Sequence, residues 1–271
     1  MKVSIITPSY NQGDFIGRTM QSVLEQVSPE FAIEYIIVDA VSKDTTDQVV
    51  KEWLPTLTAA GVQCRYISEP DHGQADAINK GWRLATGEII TYLNSDDYYQ
   101  PQSLAAVVKC FQTQPALQWA YGGWNLVNRG GAVYTTIQPQ SYSKAKLLYS
   151  NNVGQPSCFF RRELLAECGL LREQLHLAMD YDLWLRFAER YSAGIIQGVI
   201  GNMRYYSDAK SAALTRQQLA EMYKISSHYT RPFSWRRLTQ LFSYGAGLTV
   251  LILHIDIARR IEYFSRQQAT R

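Results

Sequence analysis

The chain has 271 residues, of which 46% are hydrophobic and 19% are charged, and its formal net charge is +3 at pH 7. These values are ordinary for a soluble protein, and no low-complexity segment or internal repeat is present, so we predict one large domain with an appendage. The positive charge belongs to the C-terminal part. Residues 231–271 carry seven arginines against Asp256 and Glu262, a balance of +5 that leaves −2 for the rest. We expect no nucleic-acid partner.

Four cysteines, Cys64, Cys110, Cys158 and Cys168, show no C-x-x-C spacing. This pattern argues against a zinc site or a disulfide framework and favours a reducing compartment. The sequence runs from Met1 straight into a strand-like segment, so we expect no signal peptide. We therefore predict a cytoplasmic protein.

The first half of the chain alternates predicted strands and helices. Runs rich in β-branched residues predict strands over residues 3–7, 33–39, 62–68 and 88–93, and apolar residues at helical spacing predict helices over residues 14–26, 44–57 and 74–84. This alternation predicts a mostly parallel sheet with helices on both faces. The second half is less regular, with an irregular hairpin over residues 121–137, a helix over 180–191 and a late strand over 194–200.

Polar side chains follow three of these predicted strands at their carboxyl ends. Residues 7–11 end the first strand, Asp39 ends the second, and Asp96 and Asp97 follow the fourth. Ligands bind at the carboxyl edge of an open α/β sheet, and paired acids there suit Mg²⁺ shared with substrate phosphates. A mononucleotide across this edge would use all three strand ends, whereas an isolated Asp-Asp pair would be a turn or a helix cap. The first strand lacks the G-x-G-x-x-G motif of nicotinamide and flavin enzymes.

Five segments in order resemble family 2 glycosyltransferases with the glycosyltransferase A fold. They are VSIITPSYNQGDFIGRTMQSVLEQ, IEYIIVDAVSKDTTD, SEPDHGQADAINKGWRLATGEIITYLNSDDYYQP, GQPSCFFRREL and AMDYDLWLRFA, and the resemblance covers residues 2–211. It implies an α/β catalytic domain over residues 1–215, with a nucleotide-binding half over about residues 1–100 and an acceptor half over residues 101–215. It also implies a nucleotide-sugar donor and a divalent metal, Mg²⁺ or Mn²⁺, and leaves the sugar undefined.

The resemblance implies roles for individual residues. Asp96 matches the metal-binding acid that ends the family's D-x-D motif, and Asp97 supports it. Asp39 would read the base, which we expect to be uracil. The remaining donor-binding residues are expected around the base and ribose (Thr7, Pro8, Tyr10 and Asn11), around the ribose and diphosphate (Asp71, Asp76, Asn79 and Lys80), and on a donor-closing loop (Arg204).

Asp180 begins the predicted helix over residues 180–191, where an acid is otherwise a helix N-cap or a first-turn residue. Its place in the family's E-D motif implies a general base that takes the proton from the acceptor hydroxyl as this group attacks the anomeric carbon. Met179 replaces the Glu of that motif. The next candidate for the base is Asp182.

Three places depart from the family pattern. Asn94 replaces the first Asp of D-x-D, which removes one negative metal ligand. Ala40 and Val41 replace a Gly-Gly pair, and their side chains restrict the approach of the backbone to the nucleotide. Tyr206 stands where relatives often carry His. None of these changes removes a carboxylate with an implied role, so we expect an active enzyme.

We predict a helical, basic tail over residues 216–271. Residues 238–255 carry no Lys, Arg, Asp or Glu and are flanked by an arginine pair on each side. Arginine anchors beside an uncharged stretch favour an interfacial helix on an anionic membrane surface. The alternative, with equal weight, is a helix pair packed on the domain or on a second copy in a homodimer.

We therefore predict a metal-dependent, inverting glycosyltransferase that acts at the cytoplasmic face of the membrane on a lipid-linked or surface-polysaccharide acceptor. The alternatives are a sugar-nucleotide pyrophosphorylase and a catalytically silent subunit that binds a nucleotide or a carbohydrate. No Gly-rich loop with Arg or Lys follows the first predicted strand, and this argues against a pyrophosphorylase. Donor hydrolysis distinguishes the transferase from the silent subunit.

Overall fold

The computed structural model describes residues 1–206 and 215–230. The strands in this part of the chain are β1 (Lys2–Ser9), β2 (Ala32–Asp39), β3 (Gln63–Ser68), β4 (Ile89–Tyr92), β5 (Tyr98–Tyr99), β6 (Trp119–Val127), β7 (Val133–Ile137), β8 (Cys158–Arg161) and β9 (Gly194–Arg204). The helices are α1 (Gly13–Leu24), α2 (Thr46–Ala59), α3 (Gln74–Leu84), α4 (Ser103–Thr113), α5 (Lys144–Tyr149), α6 (Leu164–Cys168), α7 (Met179–Arg190) and α8 (Thr215–Ser227). The predicted tail beyond residue 230, with its uncharged stretch over residues 238–255, lies outside the described residues. None of the described helices is both long and apolar enough to cross a bilayer.

The strands form one mixed sheet in the order β3-β2-β1-β4-β8-β6-β9-β5, with β7 paired to β6. Strands β3, β2, β1 and β4 are parallel, whereas β8 is antiparallel to both β4 and β6. The predicted parallel arrangement is thus confirmed for the first half of the chain, and the second half is mixed. Because β1, β2 and β4 run in the same direction, their carboxyl ends lie at one edge of the sheet.

Helices cover both faces of the sheet, as predicted. Alternate residues of a strand face opposite sides, so neighbours in β1 belong to different hydrophobic clusters. Ile5 belongs to the cluster that contains the apolar residues of α1, α2 and α4, and Ile6 belongs to the cluster of α3 and α7. In the second cluster, Trp119 of β6 stacks on Trp184 of α7 with 6.3 Å between ring centroids.

Most predicted elements of the first half agree with the structure to within two residues, and α3 has the predicted bounds. The predicted hairpin is formed by β6 and β7, which pair in antiparallel fashion. Strand β9 continues to Arg204, beyond its predicted end at residue 200, because residues 201–204 pair with β6. The patterns do not predict α4, α5, α6, β5 and β8. Of these only α4 is longer than six residues.

The loops after β1 and β2 are joined beside the carboxyl edge. Asn11 and Val41 adopt left-handed backbone conformations, with φ of 52° and 55°. Asn tolerates this region, but a β-branched valine is strained there. Asn11 Oδ1 accepts a hydrogen bond from Lys43 N over 2.9 Å, and Asn11 N donates to Ser42 Oγ over 2.8 Å. These bonds hold the two loops together.

Candidate active site

A cavity of about 800 Å³ lies at the carboxyl ends of β1 and β4 and extends to the first turn of α7. The predicted site residues that line it are Pro8, Tyr10, Asp71, Asp96, Asp97, Asp180 and Arg204. The other predicted site residues are not in its lining; they are Thr7, Asn11, Asp39, Asp76, Asn79 and Lys80. The strand-end acids and the acid of α7 therefore share one space.

Thr7 and Asn79, both predicted to bind the donor, are buried and hydrogen-bonded within the protein. Thr7 Oγ1 accepts a hydrogen bond from the Tyr35 hydroxyl over 3.0 Å inside the core. Asn79 lies on the buried side of α3, where Nδ2 donates to Leu171 O over 2.9 Å and Oδ1 accepts from Leu171 N over 3.0 Å. Partners within the protein satisfy these polar groups and allow their burial.

Asp76 and Lys80 support the loop before α3 instead of lining the cavity. Lys80 Nζ donates to Pro70 O over 2.8 Å and pairs with Asp76 Oδ2 over 3.5 Å. Asp76 also accepts a hydrogen bond from His72 N over 3.0 Å. These contacts fix the loop whose Asp71 lines the cavity.

Asp39 ends β2 and is fully buried. Its carboxylate accepts hydrogen bonds from Ser42 N over 2.8 Å, from Ser42 Oγ, and from Ser68 Oγ over 3.3 Å. These bonds hold the loop whose Ala40 lines the cavity. These bonds occupy three of the roughly four acceptor positions of the carboxylate. Tyr10, in contrast, lines the cavity and is 59% exposed.

Asp96 and Asp97 follow β4 in different surroundings. Asp97 is 2% exposed, and its carboxylate accepts hydrogen bonds from Arg204 N over 2.8 Å and from Asn94 Nδ2 over 3.2 Å. Asp96 is partly exposed, and its Oδ2 accepts a hydrogen bond from the Tyr206 hydroxyl over 3.1 Å. Burial raises the pKa of both carboxyls, and the neighbouring charge of Asp96 raises the pKa of Asp97 further.

Aromatic rings surround the positive charge beside these acids. The ring of Tyr206 lies 5.2 Å from that of Phe15, and the Arg204 guanidinium lies 5.1 Å from the Phe15 centroid and 4.9 Å from the Tyr98 centroid. Arg204 Nη1 also donates to the backbone carbonyl of Asp96. Cation–π contacts and this hydrogen bond therefore hold Arg204 in the wall of the cavity.

Within the described ranges, no group of three or more His, Cys, Asp or Glu side chains is placed to hold a metal by itself. Asp96 nevertheless fits a hard cation, because Mg²⁺ is commonly bound by one or two carboxylates together with substrate phosphates. The donor set therefore suits a cation that is shared with a diphosphate.

Asp180 lies in the first turn of α7, and its Oδ1 accepts a hydrogen bond from Tyr181 N over 2.7 Å. Burial raises the pKa of Asp180 to about 6, and the negative charge of Glu221 contributes to the shift. A carboxyl with this pKa is ionised at neutral pH and is more basic than an exposed Asp, which suits a general base.

Asp182, the second candidate for the base, is fully buried and does not line the cavity. Its carboxylate pairs with Arg172 Nη1 over 2.8 Å and with Arg186 Nε over 2.9 Å. Both oxygens are thus engaged with cations, and Asp182 fixes α7 in the fold instead of facing a ligand.

The sequence patterns assign no role to several polar residues of the cavity lining, among them Gln74, Gln155, His176 and Gln218. Gln155 Nε2 donates to the carbonyl of Tyr92, whereas Gln155 Oε1 is buried with no partner in the described part of the chain. Gln155 belongs to the segment GQPSCFFRREL, so the resemblance marked the region but not this side chain. His176 and Gln218 lie in segments that carry no motif.

Residues 4–169 match the family model described as Glycosyl transferase family 2. The chain belongs to this family. The part of this family 2 glycosyltransferase that matches includes Asp39, Asp96 and Asp97, and it ends before Asp180. The carboxylate of α7 is therefore placed at the cavity by the geometry of the fold and not by the family match.

Two curated relatives illustrate the range of similarity. A glycosyltransferase of Haemophilus influenzae described as uncharacterized is 29% identical over 194 residues, which cover 70% of this chain and 63% of the relative. TuaG of Bacillus subtilis, a putative teichuronic acid biosynthesis glycosyltransferase, is 27% identical over 190 residues, which cover 69% of this chain and 72% of TuaG. The family 2 chain thus spans less than two thirds of the length of the Haemophilus protein.

Solved structures confirm the predicted glycosyltransferase A fold. TarS of S. aureus, in complex with UDP-GlcNAc, superposes with a TM-score of 0.68 at 17% identity and covers 89% of this chain and 69% of its own. A mannosyltransferase of Pyrobaculum calidifontis, in complex with GDP-Man and Mn²⁺, superposes with a TM-score of 0.63 at 20% identity and covers 99% and 83%.

Proposed function

We propose that this protein is a metal-dependent, inverting glycosyltransferase that moves a sugar from a UDP-sugar to a lipid-linked or surface-polysaccharide acceptor. The observation that carries the proposal is that Asp96 and Asp180, from different elements, line one cavity. An inverting transfer needs a base on one side of the sugar and a stabilised leaving group on the other. The two carboxylates meet these needs within a single space.

The proposed classes of donor and acceptor are inferred from proteins that are similar to this chain. TarS was solved with UDP-GlcNAc, and the mannosyltransferase was solved with GDP-Man and Mn²⁺. The description of TuaG refers to teichuronic acid. These comparisons support a nucleotide-sugar donor, a divalent cation and a polysaccharide acceptor of the cell envelope. A cytoplasmic location at the membrane surface is part of the proposal.

Residues at the strand ends would bind the donor. Pro8 and Tyr10 line the cavity next to β1 and would contact the base and ribose. Asp71 and Arg204 also line it, Arg204 in contact with the acidic pair, and would lie near the ribose and diphosphate. Asp39 would act on the base pocket through the loop that it holds.

Asp96 would hold a divalent cation together with oxygens of the diphosphate. When bound, this ion supplies the positive charge that stabilises the departing nucleoside diphosphate. Asp180 takes the proton of the acceptor hydroxyl while the hydroxyl oxygen attacks the anomeric carbon. The new carbon–oxygen bond forms as the bond between that carbon and the diphosphate oxygen breaks, so the configuration inverts.

A screen of nucleotide sugars by thermal shift, with Mg²⁺ or Mn²⁺, tests the proposal. A ligand at 100 times its dissociation constant stabilises a protein by about 2.7 kcal/mol, which is readily measured. The best ligands are then incubated with the protein without an acceptor. Slow release of nucleoside diphosphate supports a transferase, whereas binding without release supports a silent binding subunit. Release of nucleoside triphosphate when pyrophosphate is added would support a pyrophosphorylase.

A further inference from the structure

Helix α8 is hydrogen-bonded to the segment that precedes the proposed base. Glu221 of α8 accepts hydrogen bonds from three consecutive backbone N–H groups, His176 N over 3.2 Å, Leu177 N over 2.8 Å and Ala178 N over 2.7 Å. Asp180 follows two residues later. Hydrogen bonds from N–H groups to a charged carboxylate are stronger than those between neutral groups, so this connection is firm.

His176 and Leu177 lie immediately before α7, and the N–H of the residue after them is among those that have no partner inside the helix. Ala178 occupies the N-cap position, and its side chain has no acceptor. Glu221 therefore supplies, from a different helix, an acceptor for the N–H of the N-cap residue and for the two N–H groups before it. Its negative charge also lies at the positive end of the α7 dipole, which is favourable.

Helix α8 also contributes to the cavity wall. Gln218 lines the cavity together with His176 and Leu177, and Gln218 Nε2 donates to Leu177 O over 3.1 Å. On the same face of the helix, one and two turns further along, Met222 and Ile225 are buried in the hydrophobic cluster that contains the apolar residues of α7. The helix is thus anchored in the core and holds the cavity segment from there.

We infer that Glu221 is a positioning residue for the proposed base: it fixes residues 176–178 and thereby sets the place of Asp180 at the cavity. The inference rests on the proposed function, because it concerns proton transfer at Asp180. If these hydrogen bonds served stability alone, their loss would change the melting temperature without changing the rate per folded molecule. The two roles therefore differ in what a substitution of Glu221 does to turnover.

Turnover of the full chain is measured as UDP release from UDP-glucose, UDP-galactose and UDP-GlcNAc, with Mn²⁺ present and water as the acceptor. Glu221→Ala should lower kcat about tenfold or more and leave UDP affinity within about twofold, because the base is displaced and the donor end of the cavity is untouched. Gln217→Ala changes an exposed neighbour on α8 and is the matched control, with the turnover of the parent.

Two conservative variants separate geometry from charge. Glu221→Gln keeps the length and one acceptor oxygen, so it should retain about a third or more of the turnover. Glu221→Asp keeps the charge but is one methylene too short to reach the three N–H groups, so it should lose as much as Glu221→Ala. These two variants also decide the question if Glu221→Ala does not fold. The opposite order, with Glu221→Asp active and Glu221→Gln inactive, overturns the inference.

A double variant tests whether Glu221 acts through Asp180. In an Asp180→Asn background, Glu221→Ala should cause little further loss, because no base remains to be positioned. A further loss as large as in the parent background overturns the inference. If the parent releases no UDP from any of the three sugars, the proposed function fails and the inference fails with it. If the parent releases UDP and Glu221→Ala matches it, the inference alone is overturned.

Discussion

The side-chain amide of Asn94 donates a hydrogen bond over 3.2 Å to Oδ2 of the buried Asp97. On its other side, Asn94 Oδ1 accepts a hydrogen bond from Gln74 Nε2 over 2.8 Å. The residue that replaces the first Asp of the family's D-x-D motif thus donates a hydrogen bond to Asp97, a role that an ionised Asp cannot fill. Asn94 therefore stabilises the crowded acids at the end of β4.

Asn94→Asp should destabilise the protein by about 1–3 kcal/mol, because it removes this donor and adds a third carboxylate beside Asp96 and Asp97. The pKa of both neighbours is already raised, so the penalty should grow as the pH rises above 3.8 and be larger at about pH 8 than at about pH 5. Thermal unfolding at the two pH values measures it. Asn94→Ala is the control, since it removes the donor without adding charge. Equal melting temperatures of Asn94→Asp and the parent at the higher pH would contradict this account.

Asp96→Ala should weaken UDP binding about tenfold or more in Mn²⁺ and only slightly in EDTA, because a cation would bridge the carboxylate and the phosphates. Titration calorimetry measures both affinities. Asp47→Ala is the matched control, since it removes a surface carboxylate of α2 that does not line the cavity. Equal affinity of Asp96→Ala and the parent in Mn²⁺ would remove Asp96 from the metal site.

Asp180→Asn keeps the size of the side chain but cannot accept a proton, so turnover should fall by about 10²-fold or more while UDP affinity is nearly unchanged. Steady-state kinetics and calorimetry measure the two quantities. Asp182→Asn should instead lose stability, because it removes the buried charge that Arg172 and Arg186 share. If Asp180→Asn retains most of its turnover, the base is another residue.

The pKa of Asp180, raised to about 6, predicts how turnover and stability depend on pH. A base acts only when it is deprotonated, so turnover should rise about tenfold per pH unit up to about pH 6 and level off above about pH 7. In the unfolded chain this carboxyl has its ordinary pKa of 3.8, so the folded state loses stability as the pH rises from 3.8 to about 6. Asp180→Asn should therefore be about 1–2 kcal/mol more stable than the parent at about pH 8 and equal to it near about pH 4. A rate that is flat between about pH 5 and 7 would exclude Asp180 as the titrating base.

The membrane prediction concerns residues 231–271, which lie outside the described residues. The full chain should co-sediment with anionic liposomes, and high salt should reduce the binding, because each arginine near anionic headgroups contributes about 1 kcal/mol. A chain that ends at Thr230 retains α8 and should lose this binding while UDP release continues. Aggregation of the shortened chain, or its failure to bind UDP, would point to a tail packed in the core or in a dimer interface.

The sequence predicts elements where periodicity is clear and acids where strands end, because both are local properties. Buried polar residues are different. Thr7 and Asn79 have hydrogen-bond partners 28 and 92 residues away, so no local pattern reveals that they are buried. The contact of Glu221 cannot be predicted from the sequence for the same reason, since its shortest hydrogen bond joins it to an amide 43 residues earlier. Motif resemblance found the segment that carries Asp180, but the contacts that hold this segment required the structure.

The hydrogen bonds from residues 176–178 to Glu221 of α8 affect the design of chimaeras between this chain and its relatives. A junction placed at the end of the family match, after residue 169, transfers both helices together. A junction between β9 and α8 takes α7 from one parent and α8 from the other, and the three amides before Asp180 then depend on the other parent for a carboxylate at the position of Glu221. We expect acceptor preference to be exchangeable between relatives when α7 and α8 are moved as a pair.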